Sequence, residues 1–482
     1  MSAAMLIAKD ELRLMRRNKV ALLAIAMALT LSVIAAFTSV AHQQNSEQLR
    51  SRFQAQANAE FVNQPDRHPH RMVHYGHFAF RPLGALGAFD PGVDPFTGNM
   101  IYLEGHRQNS ANFGDVRQSS LLIRFGQLTP AFVLQTLAPL VLIFIGFGVA
   151  ARERERGTLR QIFAHGITAP TFLRGKLLAL GIVAAVLLAP AGLALLWLVA
   201  AEGAPVLPAV FLVGGYILYL GIWAGLILLI SAFSRHARSA LVLLVGLWAI
   251  TNILLPRIAP DIALAAKPLP TRLETDIAIQ RDLRATGDSH NPDDAYFAAF
   301  KAKVLKQYGV ARIEDLPVNY RGLLAVEGEK LTSKMFDTYA KRSFDQQNAQ
   351  GNIVNGFAVL SPTIAVRRLS MATAGTGLDG HQRFLQQAEA YRFDLVQRLN
   401  QLQADAVTAE DDANKNNDPA AEKRRRISAK NWEAMPDFAF KSQSVAEKLG
   451  AATPGLLFLL GWLLVIGLAF PTAARHLREA GQ

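Results

Sequence analysis

The chain has 482 residues, 51% of them hydrophobic, a formal net charge of +12 and no cysteine. The absence of thiols excludes disulfides, thiolate metal sites and a cysteine nucleophile. The surplus charge lies in short stretches beside apolar runs, so it reports membrane topology and excludes a nucleic-acid footprint.

In chain order, residues 1–19 form a basic amphipathic arm. Met5, Leu6, Ala8, Leu12 and Met15 alternate with Lys9, Arg13, Arg16 and Arg17, a pattern suited to lying along the inner leaflet of a bilayer. Residues 20–41 are the first long apolar run. Its core is too long for a cleavable signal peptide, and no small-x-small cleavage site follows. Five further runs occupy residues 128–151, 176–201, 205–233, 239–255 and 453–474. Each reaches or approaches the ~20 residues that a helix needs to cross ~30 Å of hydrocarbon. Almost no charge falls inside them, which predicts an all-α membrane protein with six transmembrane helices.

Basic residues concentrate in the arm, in the loop 152–175, in the Arg235–Arg238 turn and in the tail 475–482, whereas charges nearly cancel in the large loops 42–127 and 256–452. By the positive-inside rule, both termini and the short loops are cytoplasmic and the two large loops are extracytoplasmic. Pro and Gly residues in the first large loop predict tight turns joined by extended pieces. The second reads as mostly helical. Asp293 and Asp294 open one helix, a longer one runs from near Tyr320 to Phe344, and another from Gly380 to about Val407. Residues 409–430 turn polar and charged and read as a solvated loop or frayed helix. Each large loop has few apolar residues of its own, so the two are expected to share one domain.

Some residues invite a chemical reading. His68, His70, His74 and His77 form the one constellation resembling a metal site, with His68 and His70 expected on one side of an extended segment. No carboxylate or fourth ligand is evident nearby. The preferred reading is therefore polar residues that fix turns through hydrogen bonds. A phosphate-binding Gly-x4-Gly-Lys-Ser/Thr loop is missing: the only Gly-Lys, Gly175-Lys176, has Pro170 in place of the first glycine and Leu177 after it. His-Glu-x-x-His and Gly-x-Ser-x-Gly are also absent, and no span holds a catalytic-looking pair of polar residues. Pro130, Pro139 and Pro190 fall within spans, where each removes a backbone hydrogen bond and favours a kink. Gly146, Gly148, Gly214, Gly215, Gly221 and Gly225 permit close helix packing.

The densest charge in the chain, Arg152-Glu153-Arg154-Glu155-Arg156-Gly157-Thr158-Leu159, directly follows the second span. Such a block lies in water at the membrane face, within reach of a soluble partner. Glu-x-Glu-x-Gly-Thr-Leu in this place, the basic arm and six spans together resemble the ABC-2 type transporter permeases. His-Pro-His, Phe-x-Phe-Arg-Pro and Asp-Pro-Gly-Val-Asp-Pro in the first large loop resemble a bacterial subgroup with large, DUF3526-like extracytoplasmic inserts. Leu360-Ser361-Pro362-Thr363 and Arg367-Arg368-Leu369-Ser370-Met371 in the second loop extend that resemblance. The resemblance implies a type V exporter-like fold with a mostly helical extracytoplasmic domain. It further implies a non-catalytic subunit without a cofactor of its own, a separate ATPase that binds ATP and Mg, and a second permease, identical or paralogous. On the same basis Glu153, Glu155, Gly157, Thr158 and Leu159 would form the region that the ATPase grips. Export across the bacterial inner membrane is the leading expectation. The alternative is mechanotransmission, in which ATPase motion drives the outer domain against a periplasmic or outer-membrane partner.

Overall fold

The computed structural model describes residues 2–109, 111, 127–287, 291, 293–414 and 416–481. The end of the first large loop, at 110 and 112–126, lies outside the described residues. Among the described residues, six helices are long and apolar enough to cross a membrane.

Helix α1 (Ala3–Arg17) is the arm, and Asn18 caps the start of α2 (Lys19–Val62), the first span. The sequence reading ends this span at residue 41, but the helix runs on without a break to Val62, about six further turns. Residues 42–62 contain neither glycine nor proline, so nothing local stops it until Asn63 and the approach to Pro65. The extension is held by Gln54, which accepts from Phe80 N (3.0 Å), and by Glu47, which accepts from Leu83 N (3.2 Å).

The first loop also holds helix α3 (Pro69–Tyr75) and a two-stranded antiparallel ribbon, β1 (His77–Phe80) with β2 (Met100–Leu103), with short helical turns at Ala85–Ala88 and Asp94–Thr97 between the strands. The second span is α4 (Pro130–Glu155), which contains a π-helical turn at Val133–Leu137. After a short surface helix, α5 (Thr158–Ala164), come α6 (Ala169–Ala201), α7 (Val206–Phe233) and α8 (Ala237–Ala266). Helix α8 has its own π turn at Ala249–Leu254. The second large loop holds α9 (Arg272–Thr286), α10 (Ala295–Tyr308), α11 (Tyr320–Gly356), α12 (Pro362–Ala374) and α13 (Leu378–Ala406). The sixth span is α14 (Val445–Ala480), begun by a Ser444–Glu447 capping box.

The two large loops form one domain, here called the cap, because they share their cores. Phe61, Met72 and Val73 pack with Leu395, Leu399 and Trp432, and Ala79, Ile101 and Leu103 pack with Phe384 and Ala388. The charged run 409–430 departs from its solvated reading. Asp412 and Arg425 are buried and paired at 3.2 Å, and Asp412 also meets His68 at 3.4 Å. Acids and bases some thirteen positions apart neutralise each other across a turn, which lets this polar segment fold down onto the cap.

Helix α12 does not sit among the cap helices. It inserts between α7 and α14 at the cap end of the bundle, where a side chain on Gly215 would collide with Leu369 and one on Gly455 with the Ala365 carbonyl. On the terminal side, α1 lies on α6. A Cβ on Gly175 would come within 2.7 Å of the Ala4 carbonyl and Ile7.

Candidate functional site

The charged element after the second span is fastened to the bundle at three points. Ala150 N and Ala151 N both donate to Ser231 Oγ (3.1 Å) on α7. Arg154 donates to the carbonyls of Ala232 and Ser234 (3.0 Å each), at the C-terminal end of α7, where orphan carbonyls and the helix dipole favour a cation. Glu155 accepts from Ala237 N (3.3 Å), the first residue of α8, with the dipole again of the right sign.

Glu153 turns inward. Its carboxylate meets Lys176 Nζ at 2.9 Å and takes the Thr158 hydroxyl, while Lys176 also binds Glu11 at 2.5 Å. Lys176 and Glu11 are 3% and 4% exposed, so this is a buried triad joining the arm, the charged element and α6. Gly157 reverses the chain in a left-handed conformation (φ 71°), a region that costs a glycine little, and starts α5. Leu159 is buried and anchors α5 to the core. The side chains left facing outward include Glu155, Arg156, Arg160, Gln161, Ala164 and His165. Of the two acids expected to be gripped from outside, Glu153 points toward the bundle, while Glu155, though bonded to Ala237 N, stays exposed. The exposed surface is polar and net basic, with Glu155 its one acid.

A second arrangement went unseen in the sequence, where the polar residues looked isolated. The π turns of α4 and α8 face each other inside the bundle, and each is followed by a proline, Pro139 and Pro256, with no N–H to return to the preceding turn. The backbone oxygens freed there are taken by side chains. Gln135 O accepts from Tyr219 Oη (2.6 Å) and Asn252 Nδ2 (3.1 Å), Thr136 O from Trp248 (3.1 Å), and Thr251 O from Ser361 Oγ (2.6 Å). Gln135 Nε2 donates to Tyr216 Oη (2.8 Å), and Arg367 on α12 donates to Gln135 Oε1 (3.2 Å). Thr363 bonds Asn252. Asp90, buried beside this knot, has its carboxyl pushed upward by burial, against the pull of Ser370, the Gly92 N–H and Arg367. The Leu-Ser-Pro-Thr and Arg-Arg-Leu-Ser-Met motifs are therefore the parts of α12 that lock into the spans. Of its two prolines only Pro139 is among those read within spans from the sequence; Pro256 lies one residue past the fifth span as read.

The histidines separate. Pro69 occupies the first turn of α3 and His68 is its N-cap, accepting from His70 N (3.1 Å), so the expected extended segment is a helix. His68 faces Asp412, and His77 is buried between Phe61 and Tyr391. Burial holds the His77 imidazole down at about 4, against the pull of Asp437. His70 and His74, one helical turn apart, stand with their Nε2 atoms 3.2 Å apart, and His106 joins them from the turn after β2. Burial, reinforced by the neighbouring imidazoles, lowers His70 to about 4. His106 was not singled out in the sequence, since it lies far from the others along the chain.

The profile of the ABC-2 family transporter proteins matches residues 5–307, and that of DUF3526, a domain of unknown function, matches residues 272–441. The first match covers most of the chain: the protein belongs to the ABC-2 transporter family, as a multi-pass membrane permease component, with a DUF3526 domain in its second large loop. A search of the curated proteins finds no match to this chain.

Proposed function

We propose that this chain is the membrane half-unit of an ATP-driven exporter in a bacterial inner membrane, with both termini cytoplasmic and the cap outside. A separate ATPase, holding ATP and Mg, docks on the exposed face of α5, and a second permease, identical or paralogous, completes the unit. The observation that carries this reading is the surface helix α5. It offers Arg156, Arg160 and His165 to solvent, while the element preceding it is tied to α1, α6, α7 and α8. A push on α5 is therefore delivered to several helices together rather than absorbed in a loop. Lipid is the remaining partner: a crevice of ≈ 480 Å³ between arm and spans, walled by Leu12, Ile25 and Val183 and rimmed by Lys9, Arg13 and Arg16, suits an acidic phospholipid.

One observation favours the second reading, mechanotransmission. Helix α2 is continuous for 44 residues, from the arm through the membrane into the cap, and so makes a stiff lever between the two sides. The docking claim is tested by Arg156→Glu with Arg160→Glu. Both side chains are outside the core, so the variant should melt as wild type yet lose co-purification of its ATPase. A double variant that keeps wild-type ATPase stoichiometry and stimulation refutes docking at α5. Sidedness is tested with an impermeant thiol reagent on intact spheroplasts: Ser51→Cys should label and Glu479→Cys should not, and the reverse pattern refutes the orientation.

A further inference from the structure

The histidine triad of the cap has the features of a built cation site. One donor nitrogen from each of His70, His74 and His106 lies within 4.8 Å of the other two. A divalent ion bound tetrahedrally by imidazole at ~2.0–2.1 Å holds its nitrogens ~3.4 Å apart. The His70–His74 separation of 3.2 Å already meets that spacing, and small ring rotations bring in the third. The i, i+4 placement on α3 puts His70 and His74 on one face, with Met72 and Val73 buried on the other side and fixing the helix.

His106 is held independently. Gly105 N donates to the Val73 carbonyl (3.2 Å), and a Cβ on Gly105 would strike Val73 at 2.2 Å, so only glycine lets this turn close onto α3. His106 itself has φ 61°, the one non-glycine residue with positive φ among those described. Its backbone N donates to Glu329 (3.3 Å), and its Nδ1 lies 3.4 Å from the same carboxylate. A carboxylate behind one ring nitrogen sets the tautomer that makes Nε2 the ligating atom.

Charge points the same way. Behind His106 sits a buried cluster in which Arg392 pairs with both Glu329 (2.6 Å) and Glu389 (2.7 Å), and Arg392 and Glu329 are 1% and 0% exposed. Two carboxylates against one guanidinium leave a negative surplus, which a cation on the triad would offset.

We infer that His70, His74 and His106 bind a late first-row divalent metal ion, zinc or copper(II), through three imidazole nitrogens, with Glu329 as the carboxylate orienting His106. His74 is on the exposed side, so a fourth position is open to water. The ion would pin α3 and the β2 turn, both from the first large loop, to α11 and α13 of the second through Glu329 and Arg392. The site takes two of the four histidines singled out in the sequence and replaces His68 and His77 by His106.

The test uses the full chain in nanodiscs with a histidine-free affinity tag, stripped with chelator and titrated with Co²⁺ as a spectroscopic probe. The expected result is tight uptake of about one ion per chain, with the intense visible bands of tetrahedral cobalt and displacement by zinc. Those bands should vanish in His74→Ala, whose exposed side chain makes misfolding a poor explanation, and in His106→Gln, while His165→Ala on the other side of the bundle leaves them unchanged. Absence of stoichiometric uptake by wild-type protein, or tetrahedral bands that persist in His74→Ala with His106→Gln, overturns the site.

Discussion

At the residue scale, the Glu11–Lys176–Glu153 triad shows how burial changes the meaning of a charge. Lys176 is flanked by two acids in a dry place, so removing it strands both carboxylates. Lys176→Met should cost ~3–5 kcal/mol, the usual penalty for breaking a buried pair by one partner, and Glu11→Gln added to it should recover part of the loss. A Lys176→Met variant that melts in nanodiscs at the wild-type temperature contradicts this. His77 predicts a pH effect of definite sign. Its folded value of about 4 lies below the ordinary ~6.5, so between the two the unfolded chain holds a proton that the folded cap refuses. Stability should therefore fall as pH drops through 6.5 and stop falling near 4. His77→Leu should lose ~2.5 kcal/mol less than wild type between pH 7 and pH 4.5, from the 1.36 kcal/mol that each pH unit carries. Equal losses in the two proteins would show that His77 does not set the slope. Sequence picked out the histidines as a group but not their separate fates. Which of them cap a helix, pair with an acid or converge depends on Asp412, Tyr391 and His106, all supplied by other parts of the chain.

At the scale of the element, the spans were legible because hydropathy sums over some twenty residues, so local noise averages out. Their ends were not. Helix α2 outruns its apolar stretch because Gln54 and Glu47 find partners on the chain around β1, and α12 leaves the cap for the bundle because Gly215 and Gly455 make room for it. The charged run 409–430 misled for the same reason: local composition says solvated, and pairing across a turn says buried. The π turn of α8 supplies a test of how α12 is seated. Leu255 N bonds Ile250 O, so in that register the next N–H would reach Thr251 O; the next residue is Pro256, and Ser361 takes the oxygen instead. Ser361→Ala should then cost ~1–3 kcal/mol in the native chain, the price of leaving a buried carbonyl unsatisfied. In a Pro256→Ala background the restored N–H should shrink that cost. Additive effects of the two substitutions in a melting cycle would show that proline does not create the vacancy that Ser361 fills.

For the whole molecule, the two readings of function differ in what crosses from one side of the bundle to the other: a substrate or only a motion. Helix α2 reaches from the arm to Val62, and α12 is keyed into spans two, four, five and six. The cap therefore cannot keep still if those spans rearrange, unless α2 bends or the knot around Gln135 breaks. Both readings of function predict movement in the membrane, but only mechanotransmission makes cap movement the output. The lack of native cysteine makes the measurement clean. A nitroxide at Ser51→Cys, on the exposed cap-side turn of α2, gives one label per permease and hence one distance in a complex of two. Pulsed dipolar spectroscopy on the complex with its ATPase should show this distance change between the nucleotide-free and ATP-trapped states. A second label at Glu479→Cys should change with it. If the terminal-side distance shifts during turnover while the Ser51 distance holds, the lever is broken and the cap serves as a fixed rim around an export path. If both shift together and no cavity opens between the permeases, the stroke itself is what the protein delivers.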